Sequence, residues 1–233
     1  MADEASKTRA HFGALEKRIF RGRGIDIGCG TDPIFPDARP FDIDNGDANR
    51  ITDFVTEEFD YVFSSHCLEH MQNPYAALAG WWKLVREGGH LYFVVPDEDL
   101  YEQARFPSRY NPDHKWTFTA NKATSWSNCS INLLELISSL EHARPIKLEL
   151  QDHGYDYSLQ QHDQTTGAAM AQWCVALRRD QNYHSHNYSE SPKRFWCAMH
   201  GGCNFIIFQL KRTVIGTLRL IRNQLHRLAG RNS

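Results

Sequence analysis

The stretch Gly-Ile-Asp-Ile-Gly-Cys-Gly at residues 24–30 constrains the fold of this chain more than any other. Ile25 and Ile27 are β-branched and two residues apart, which favours a short buried strand. The glycines that follow allow a sharp turn, and they carry no Cβ that would keep a ligand away from the backbone. The stretch therefore predicts a strand that ends in a ligand-binding turn.

A carboxylate follows at a fixed distance from this turn. A second strand is predicted at residues 39–42, and its last residue is Asp42, twelve positions after Gly30. A glycine turn beside one strand and an acid at the tip of the next suit a ligand that carries a ribose with free hydroxyls. Twelve residues are too few for a connection that contains a full helix, so we expect a turn around residues 32–36.

The rest of the first half alternates between strands and helices. Residues 59–70 (FDYVFSSHCLEH) predict a buried strand with a polar tip, and residues 81–97 (WWKLVREGGHLYFVVPD) predict a helix, a glycine pair and a strand. A short helix at residues 6–20 would lie over the mouth of the ligand site, and residues 51–53 would form a minimal third strand.

Taken with IDIGCG and Asp42, these stretches resemble the class I S-adenosyl-L-methionine (SAM) dependent methyltransferases, in particular the short methyltransferase-11-like type. The resemblance covers about residues 22–178. It implies an α/β fold with a Rossmann-like, doubly wound, seven-stranded sheet that is mostly parallel and has an antiparallel last strand. The first helices would be reduced, because the connections are short. A methyltransferase domain is thus expected at residues 1–180.

The resemblance also implies that SAM is the cofactor and assigns contacts to it. Asp42 would bind the ribose hydroxyls, and the backbone of Gly28, Cys29 and Gly30 would follow the amino-acid part. Asp26 would anchor the turn and reach the amino group of the donor, directly or through water.

Four more residues belong to this expected cofactor site. Ile43 follows Asp42 directly, and Asp53 matches the acid that commonly meets the adenine amino group; a helix or turn cap is an equal alternative for Asp53. Ser65 and His66 come at the end of a strand, and ligands bind at the carboxyl ends of parallel strands. Both side chains should therefore face the methyl donor or the acceptor.

Two histidines are candidates for a general base. An aromatic and basic insertion at residues 100–119 is placed to form a lid on the acceptor pocket. Similar methyltransferases carry a histidine followed by aromatic-Phe-Thr here, which makes His114 the first candidate, with a cap for a following helix as the alternative. His66 is the second candidate, with a structural hydrogen bond as its alternative, and the triplet at residues 68–70 is interpreted as structural.

The expected reaction is an in-line methyl transfer, and the polar lid favours a polar acceptor. We predict O-methylation of a small molecule or glycan, such as a sugar or sugar phosphate. A non-sugar small molecule, a protein acceptor and a noncatalytic SAM-binding subunit are the alternatives. No Asn-Pro-Pro-Tyr tip is present, which argues against methylation of DNA bases, and no nucleic-acid partner is expected.

The composition indicates a cytoplasmic protein. No apolar run of 18 residues exists and the first residues lack the pattern of a signal peptide. Six scattered cysteines favour reduced thiols over a disulfide framework. No metal site is expected, since the Cys197-x-x-His200-x-x-Cys203 motif near His184 and His186 is too irregular for zinc.

The C-terminal extension, residues 181–233, differs in charge from the rest. Eight of the 26 Lys and Arg residues follow position 190 and none of the 28 acids does, so residues 1–190 hold only 18 bases. Apolar residues from 207 to 228 follow helical spacing, with the basic residues off that stripe. A basic amphipathic helix predicts peripheral attachment to the inner membrane face. Packing on the body or a homodimer seam is the alternative.

Overall fold

The computed structural model describes residues 4–159 and 161–184. The predicted amphipathic helix and the Cys197–Cys203 motif lie outside the described residues. Membrane attachment, the homodimer and the boundary between the two predicted domains therefore stay predictions. Within the described part of the chain, no helix is long and apolar enough to cross a membrane.

Six strands form the main sheet of the described residues, in the order β2-β1-β3-β4-β8-β7. The neighbouring pairs β2–β1, β1–β3 and β3–β4 are parallel, whereas β8, the last strand, is antiparallel to both β4 and β7. This confirms a mostly parallel α/β sheet with an antiparallel last strand. The strands are β1 (Gly24–Ile27), β2 (Arg39–Phe41), β3 (Phe59–Ser65), β4 (Val85–Pro96), β7 (Ala143–Gln151) and β8 (Gln172–Arg179).

The sheet has one strand fewer than the seven expected, because residues 51–53 do not form a strand. They belong to a 3-10 segment, Ala48–Asp53, which is interrupted at Arg50. The Asp47 carboxylate accepts a hydrogen bond from the backbone N–H of Asn49 at 2.9 Å. Such a cap favours a helical turn over an extended chain, so the prediction of a third strand at this place was wrong.

The helices are short, and side chains determine where they begin. The single helix predicted at residues 6–20 is divided into α1 (Glu4–Ala10) and α2 (Glu16–Ile19), and Glu16 Oε2 accepts the Gly13 N–H at 2.9 Å between them. Asn73 caps α3 (Pro74–Lys83), and Asn132 caps α4 (Leu133–Ser138). A second, two-stranded parallel sheet consists of β5 (Thr117–Thr119) and β6 (Ser130–Asn132).

The core lies on both faces of the sheet. From Tyr61 to Phe63 the residues of β3 alternate between the two sides: Val62 packs on one face with Trp81 of α3, and Tyr61 and Phe63 pack on the other. An irregularity in the pairing between Phe59 and Tyr61 puts Phe59 on the same face as Val62. No helix connects β1 to β2, as expected, and residues 28–38 form turns. The fully buried side chain of Ile34 fills the space there. Because core side chains cover both faces of the sheet, a ligand site is expected at the carboxyl ends of the parallel strands.

The expectation of reduced thiols stays a prediction. The four cysteines that the structure describes are not paired with one another. They are Cys29, Cys67, Cys129 and Cys174.

Candidate active site

The glycine turn after β1 is open on one side and closed on the other. Gly28 and Gly30 have backbone φ angles of +75° and +52°. A Cβ on Gly28 would lie 2.7 Å from the Cβ and Sγ atoms of Cys67, whereas a Cβ on Gly30 would meet no atom within 4 Å. Gly28 is thus required by internal packing, and the backbone at Gly30 faces free space in which a ligand can bind.

Asp26 anchors this turn through a buried hydrogen bond, as predicted. Its side chain is 1% exposed, and its Oδ2 accepts the N–H of Ile34 at 2.6 Å. Burial raises the pKa of Asp26 to about 7, and the nearby carboxylates of Asp32 and Asp42 add to that effect. A cation close to Asp26 would relieve this cost, which fits the predicted contact with the donor's amino group.

Asp42 joins the tip of β2 to the glycine turn. Its Oδ2 accepts the N–H of Gly30 at 2.7 Å, and its Oδ1 accepts the N–H of Ile43 at 2.7 Å. The side chain of Ile43 is 81% exposed and that of Phe54 is 45% exposed, which is unusual for large apolar groups in a folded domain. Near the turn, Asp42 thus offers carboxylate oxygens, and Ile43 and Phe54 offer exposed apolar surface.

Asp53 differs from the other predicted cofactor residues because it lies on a 3-10 segment and not at the tip of a strand or in the glycine turn. It ends the 3-10 segment, its side chain is 56% exposed, and it faces Arg50 at 3.6 Å. Its predicted contact with the adenine amino group stays a prediction.

The tip of β3 connects the glycine turn to a group of buried histidines and acids. Ser64 Oγ donates to the carbonyl of Ile27 at 2.9 Å, which aligns the ends of β1 and β3. The Ser65 hydroxyl is buried and has no hydrogen-bond partner among the described residues. His66, Glu69 and His70, on the turn that follows, lie together with His114, and we define these four residues as the histidine cluster.

His66 has a left-handed backbone (φ +49°) and two close partners. Its Nε2 lies 2.9 Å from Gln172 Oε1, and its Nδ1 lies 3.4 Å from Glu69 Oε1. Burial lowers the pKa of His66, but the carboxylates of Glu69 and Glu4 and the hydrogen bond to Gln172 together outweigh burial, and the pKa rises to about 9. The α1 helix lies beside this residue, since Glu4 Oε2 is 3.9 Å from His66 Nε2.

His114 lies on the opposite side of Glu69 and is 6% exposed. Its Nδ1 is 2.7 Å from Glu102 Oε1, and its Nε2 is 3.9 Å from Glu69 Oε1. The N–H of Lys115 donates to the carbonyl of Glu69 at 2.9 Å, which fixes the insertion on the turn at Leu68–His70. The chain enters β5 after His114, and the next helix, α4, is capped by Asn132, so the alternative of a helix cap was wrong.

Glu69 is the centre of the cluster. It is 0% exposed, and neither carboxylate oxygen has a hydrogen-bond partner among the described residues. Burial raises its pKa, but His66 and the other cluster histidines outweigh that, and the pKa is lowered overall. Because Cys67 packs against Gly28, this turn brings the cluster next to the glycine turn.

Sequence reasoning missed two acids of this site. Glu69 follows His66 by three residues, a spacing that was available as a signal, but its triplet was interpreted as purely structural. Glu102 is separated from His114 by an irregular segment, and no spacing rule relates the two. Only the fold brings them together.

A sequence profile of a methyltransferase domain family matches residues 4–160, which is more than half of the chain. The chain belongs to this methyltransferase family. A protein of Methanocaldococcus jannaschii with no assigned function is 25% identical over 130 aligned residues, which cover 45% of this chain and 62% of that protein. This chain thus matches less than two thirds of the length of that relative.

Two solved methyltransferase structures are similar to this chain, and the first of them carries the comparison of folds. A SAM-dependent methyltransferase from Archaeoglobus fulgidus has a TM-score of 0.50 and 15% identity, over 76% of this chain and 94% of that chain. Another, from Methanosarcina mazei, has a TM-score of 0.46 and 12% identity, over 72% and 98%. With the family match, the first structure identifies a class I SAM-dependent methyltransferase fold.

The described residues fit SAM as the cofactor of this methyltransferase. The open backbone at Gly30 leaves room for the amino-acid part, and Asp42 offers carboxylate oxygens to ribose hydroxyls. The exposed side chains of Ile43 and Phe54 offer an apolar surface suited to a purine.

Proposed function

We propose that this methyltransferase transfers the methyl group of SAM to a hydroxyl of a polar small molecule or glycan, such as a sugar or sugar phosphate. The buried histidine cluster next to the glycine turn carries the proposal. A hydroxyl must lose its proton to become a good nucleophile, and histidine is suited to that task near neutral pH. When bound, SAM supplies a methyl group on a sulfonium, so the protein mainly has to position the acceptor.

The donor half of the site binds the cofactor through four groups. In this proposal Asp42 holds the ribose, the Gly28–Gly30 backbone follows the amino-acid part, and Asp26 compensates the ammonium charge. Ile43 packs against the adenine. The exposure of the Ile43 side chain supports this assignment, because an exposed Ile next to the ribose acid has no evident structural role.

The acceptor half activates the hydroxyl. The Glu102 carboxylate holds Nδ1 of His114 at 2.7 Å, which fixes the ring and leaves Nε2 toward the cluster. A hydrogen bond from Nδ1–H to this carboxylate fixes the tautomer in which Nε2 carries no proton and can accept one. His114 is therefore the proposed route for the hydroxyl proton. His66 is the second candidate, and with a pKa of about 9 it would have to lose its own proton first.

The surface around the cluster supports a polar acceptor. Arg105, Arg109, Asp113 and Lys115 of the insertion are all exposed, and they offer both signs of charge to a ligand. A sugar phosphate suits such a surface, because arginine and lysine bind phosphate oxygens with charge-assisted hydrogen bonds.

The proposal is tested by methyl transfer from SAM with a labelled methyl group. The acceptor panel contains sugars, sugar phosphates and oligosaccharides, with matched amino and thiol compounds. Transfer to hydroxyl acceptors, with loss of the signal in His114→Ala, supports the proposal. Transfer to amines or thiols alone contradicts it, and SAM binding without transfer to any acceptor indicates a noncatalytic SAM-binding subunit.

A further inference from the structure

We propose that Glu69, His70 and His114 form a binding site for a divalent transition-metal ion on the acceptor side of the cofactor. One donor atom of each of these three residues lies within 4.8 Å of the donor atoms of the other two. One of these separations, between Glu69 Oε1 and His114 Nε2, is 3.9 Å. Ligand bonds to such ions are about 2.0–2.2 Å long, so two donor atoms of one ion lie at most about 4.4 Å apart, and the Glu69–His114 pair is within that limit.

The unmatched carboxylate of Glu69 is an independent observation that points to a cation. The side chain is completely buried, and both oxygens lack a hydrogen-bond partner among the described residues. A buried carboxylate is costly unless it is paired, hydrogen-bonded or bound to a metal. His66 compensates only part of this cost, because its contact at 3.4 Å is made with Oε1 alone.

Both histidines of the proposed site are oriented by acids. Nδ1 of His114 is 2.7 Å from the Glu102 carboxylate, and Nδ1 of His70 is 3.0 Å from the Asp113 carboxylate. Metal-binding histidines commonly donate one ring N–H to a carboxylate, which leaves the other nitrogen to bind the ion. The arrangement occurs twice here, on two chain segments, and in each case it assigns Nε2 as the metal ligand.

Two imidazoles and one carboxylate select the kind of ion. This set suits Zn²⁺, Mn²⁺, Fe²⁺ or Co²⁺ better than Ca²⁺ or Mg²⁺, which prefer all-oxygen sites. Three protein ligands leave coordination positions open, as catalytic rather than structural sites do.

The role of the ion, unlike its binding, rests on the proposed function. An adjacent divalent cation lowers the pKa of an acceptor hydroxyl, so that its proton can leave to solvent. The hydroxyl oxygen then forms the new bond to the methyl carbon while the carbon–sulfur bond breaks, with the electron pair left on sulfur. In this case His114 acts as a ligand and not as a free base.

The experiment measures binding without turnover. Full-length protein is stripped with a chelator, and Zn²⁺ and Co²⁺ are titrated by calorimetry and by the visible absorption of bound Co²⁺. The variants are Glu69→Gln, which keeps the shape of the side chain, and Glu102→Gln, with His153→Ala as the control at an exposed histidine. SAM binding by each variant shows that it is folded.

We expect one ion per chain in the wild-type protein and in His153→Ala. The affinity should fall about 10- to 100-fold in Glu102→Gln, and further in Glu69→Gln. Loss in Glu69→Gln assigns the ion to this cluster and not to the Cys197–Cys203 motif. Absence of binding in the wild type, or equal affinity in Glu69→Gln that still binds SAM, overturns the inference. Metal binding without O-methylation would instead contradict the proposed function and leave the metal site intact.

Discussion

The two halves of the site are constructed in different ways. The donor half consists mainly of backbone: two glycines with positive φ angles, an open space at Gly30 and two acids that accept backbone N–H groups. The acceptor half consists of side chains from separate segments, with His66, Glu69, Glu102 and His114 buried or half-buried around one carboxylate. The donor half is thus defined by shape, and the acceptor half by charge. Substitutions in the acceptor half should therefore lower kcat and leave SAM affinity unchanged, and substitutions in the donor half should weaken SAM binding.

The largest expected effect is on turnover in the acceptor half. His114→Ala should lower kcat about 10²-fold or more, because a group that takes or orients a proton in the transition state is lost. SAM affinity, measured by calorimetry, should stay at the wild-type value. His153→Ala is the control. If His66→Ala shows this loss and His114→Ala does not, the roles of the two histidines must be exchanged.

Glu102→Gln should have a smaller effect of the same kind. The variant keeps the size of the side chain but removes the charge that orients His114 at 2.7 Å. We expect kcat to fall about 10-fold, with SAM affinity unchanged. Glu141→Gln, at an exposed acid, is the matched control. A decrease in SAM affinity as large as that in kcat would show that the halves are not separable.

The two glycines of the donor half provide a matched pair. Gly28→Ala should lower the free energy of unfolding by about 1–3 kcal/mol, because the new methyl group meets Cys67 at 2.7 Å and φ is positive. Gly30→Ala should cost less stability, since its methyl group enters free space, but it should weaken SAM binding more. Urea unfolding and calorimetry check both. Equal effects of the two substitutions on folding and on SAM binding would contradict this division.

The last of these effects concerns pH. The pKa of Asp26 is raised to about 7 in the folded protein, mainly by burial, so the fold favours the protonated form. The folded state then binds more protons than the unfolded state between about pH 4 and 7, and stability falls as pH rises through that range. The free energy of unfolding without SAM should decrease from pH 5 to pH 8. This decrease should shrink in Asp26→Asn and persist in Asp53→Asn.

The same contrast explains which site residues could be predicted from the sequence. The glycine turn, Asp26 and Asp42 were predictable because strand spacing, turn glycines and the acid lie within about twenty consecutive residues and obey local rules. His66 and His114 were predicted as single candidates. Gln172 lies 106 residues from His66, and the 12 residues between Glu102 and His114 follow no regular spacing, so only the packing of the insertion and of β8 brings these partners in.

The errors have local causes. The strand expected at residues 51–53 became a 3-10 segment, because the Asp47 cap outweighs a short β-branched stretch. The helix expected at residues 6–20 divides where Gly13 meets the Glu16 carboxylate. In both cases one polar side chain, and not the apolar periodicity, decides the backbone conformation.

The central claim is that the glycine turn and Asp42 form the SAM site, and calorimetric titration of SAM tests it most directly. Wild-type protein, Asp42→Ala and the control Asp44→Ala, at the neighbouring exposed acid, are compared. Loss of charge-assisted hydrogen bonds to the ribose should cost about 1.5–3 kcal/mol, or roughly 10- to 150-fold in Kd. We predict that loss in Asp42→Ala and wild-type affinity in Asp44→Ala. Binding of SAM by Asp42→Ala as tight as by the wild type would contradict the assignment of the donor site.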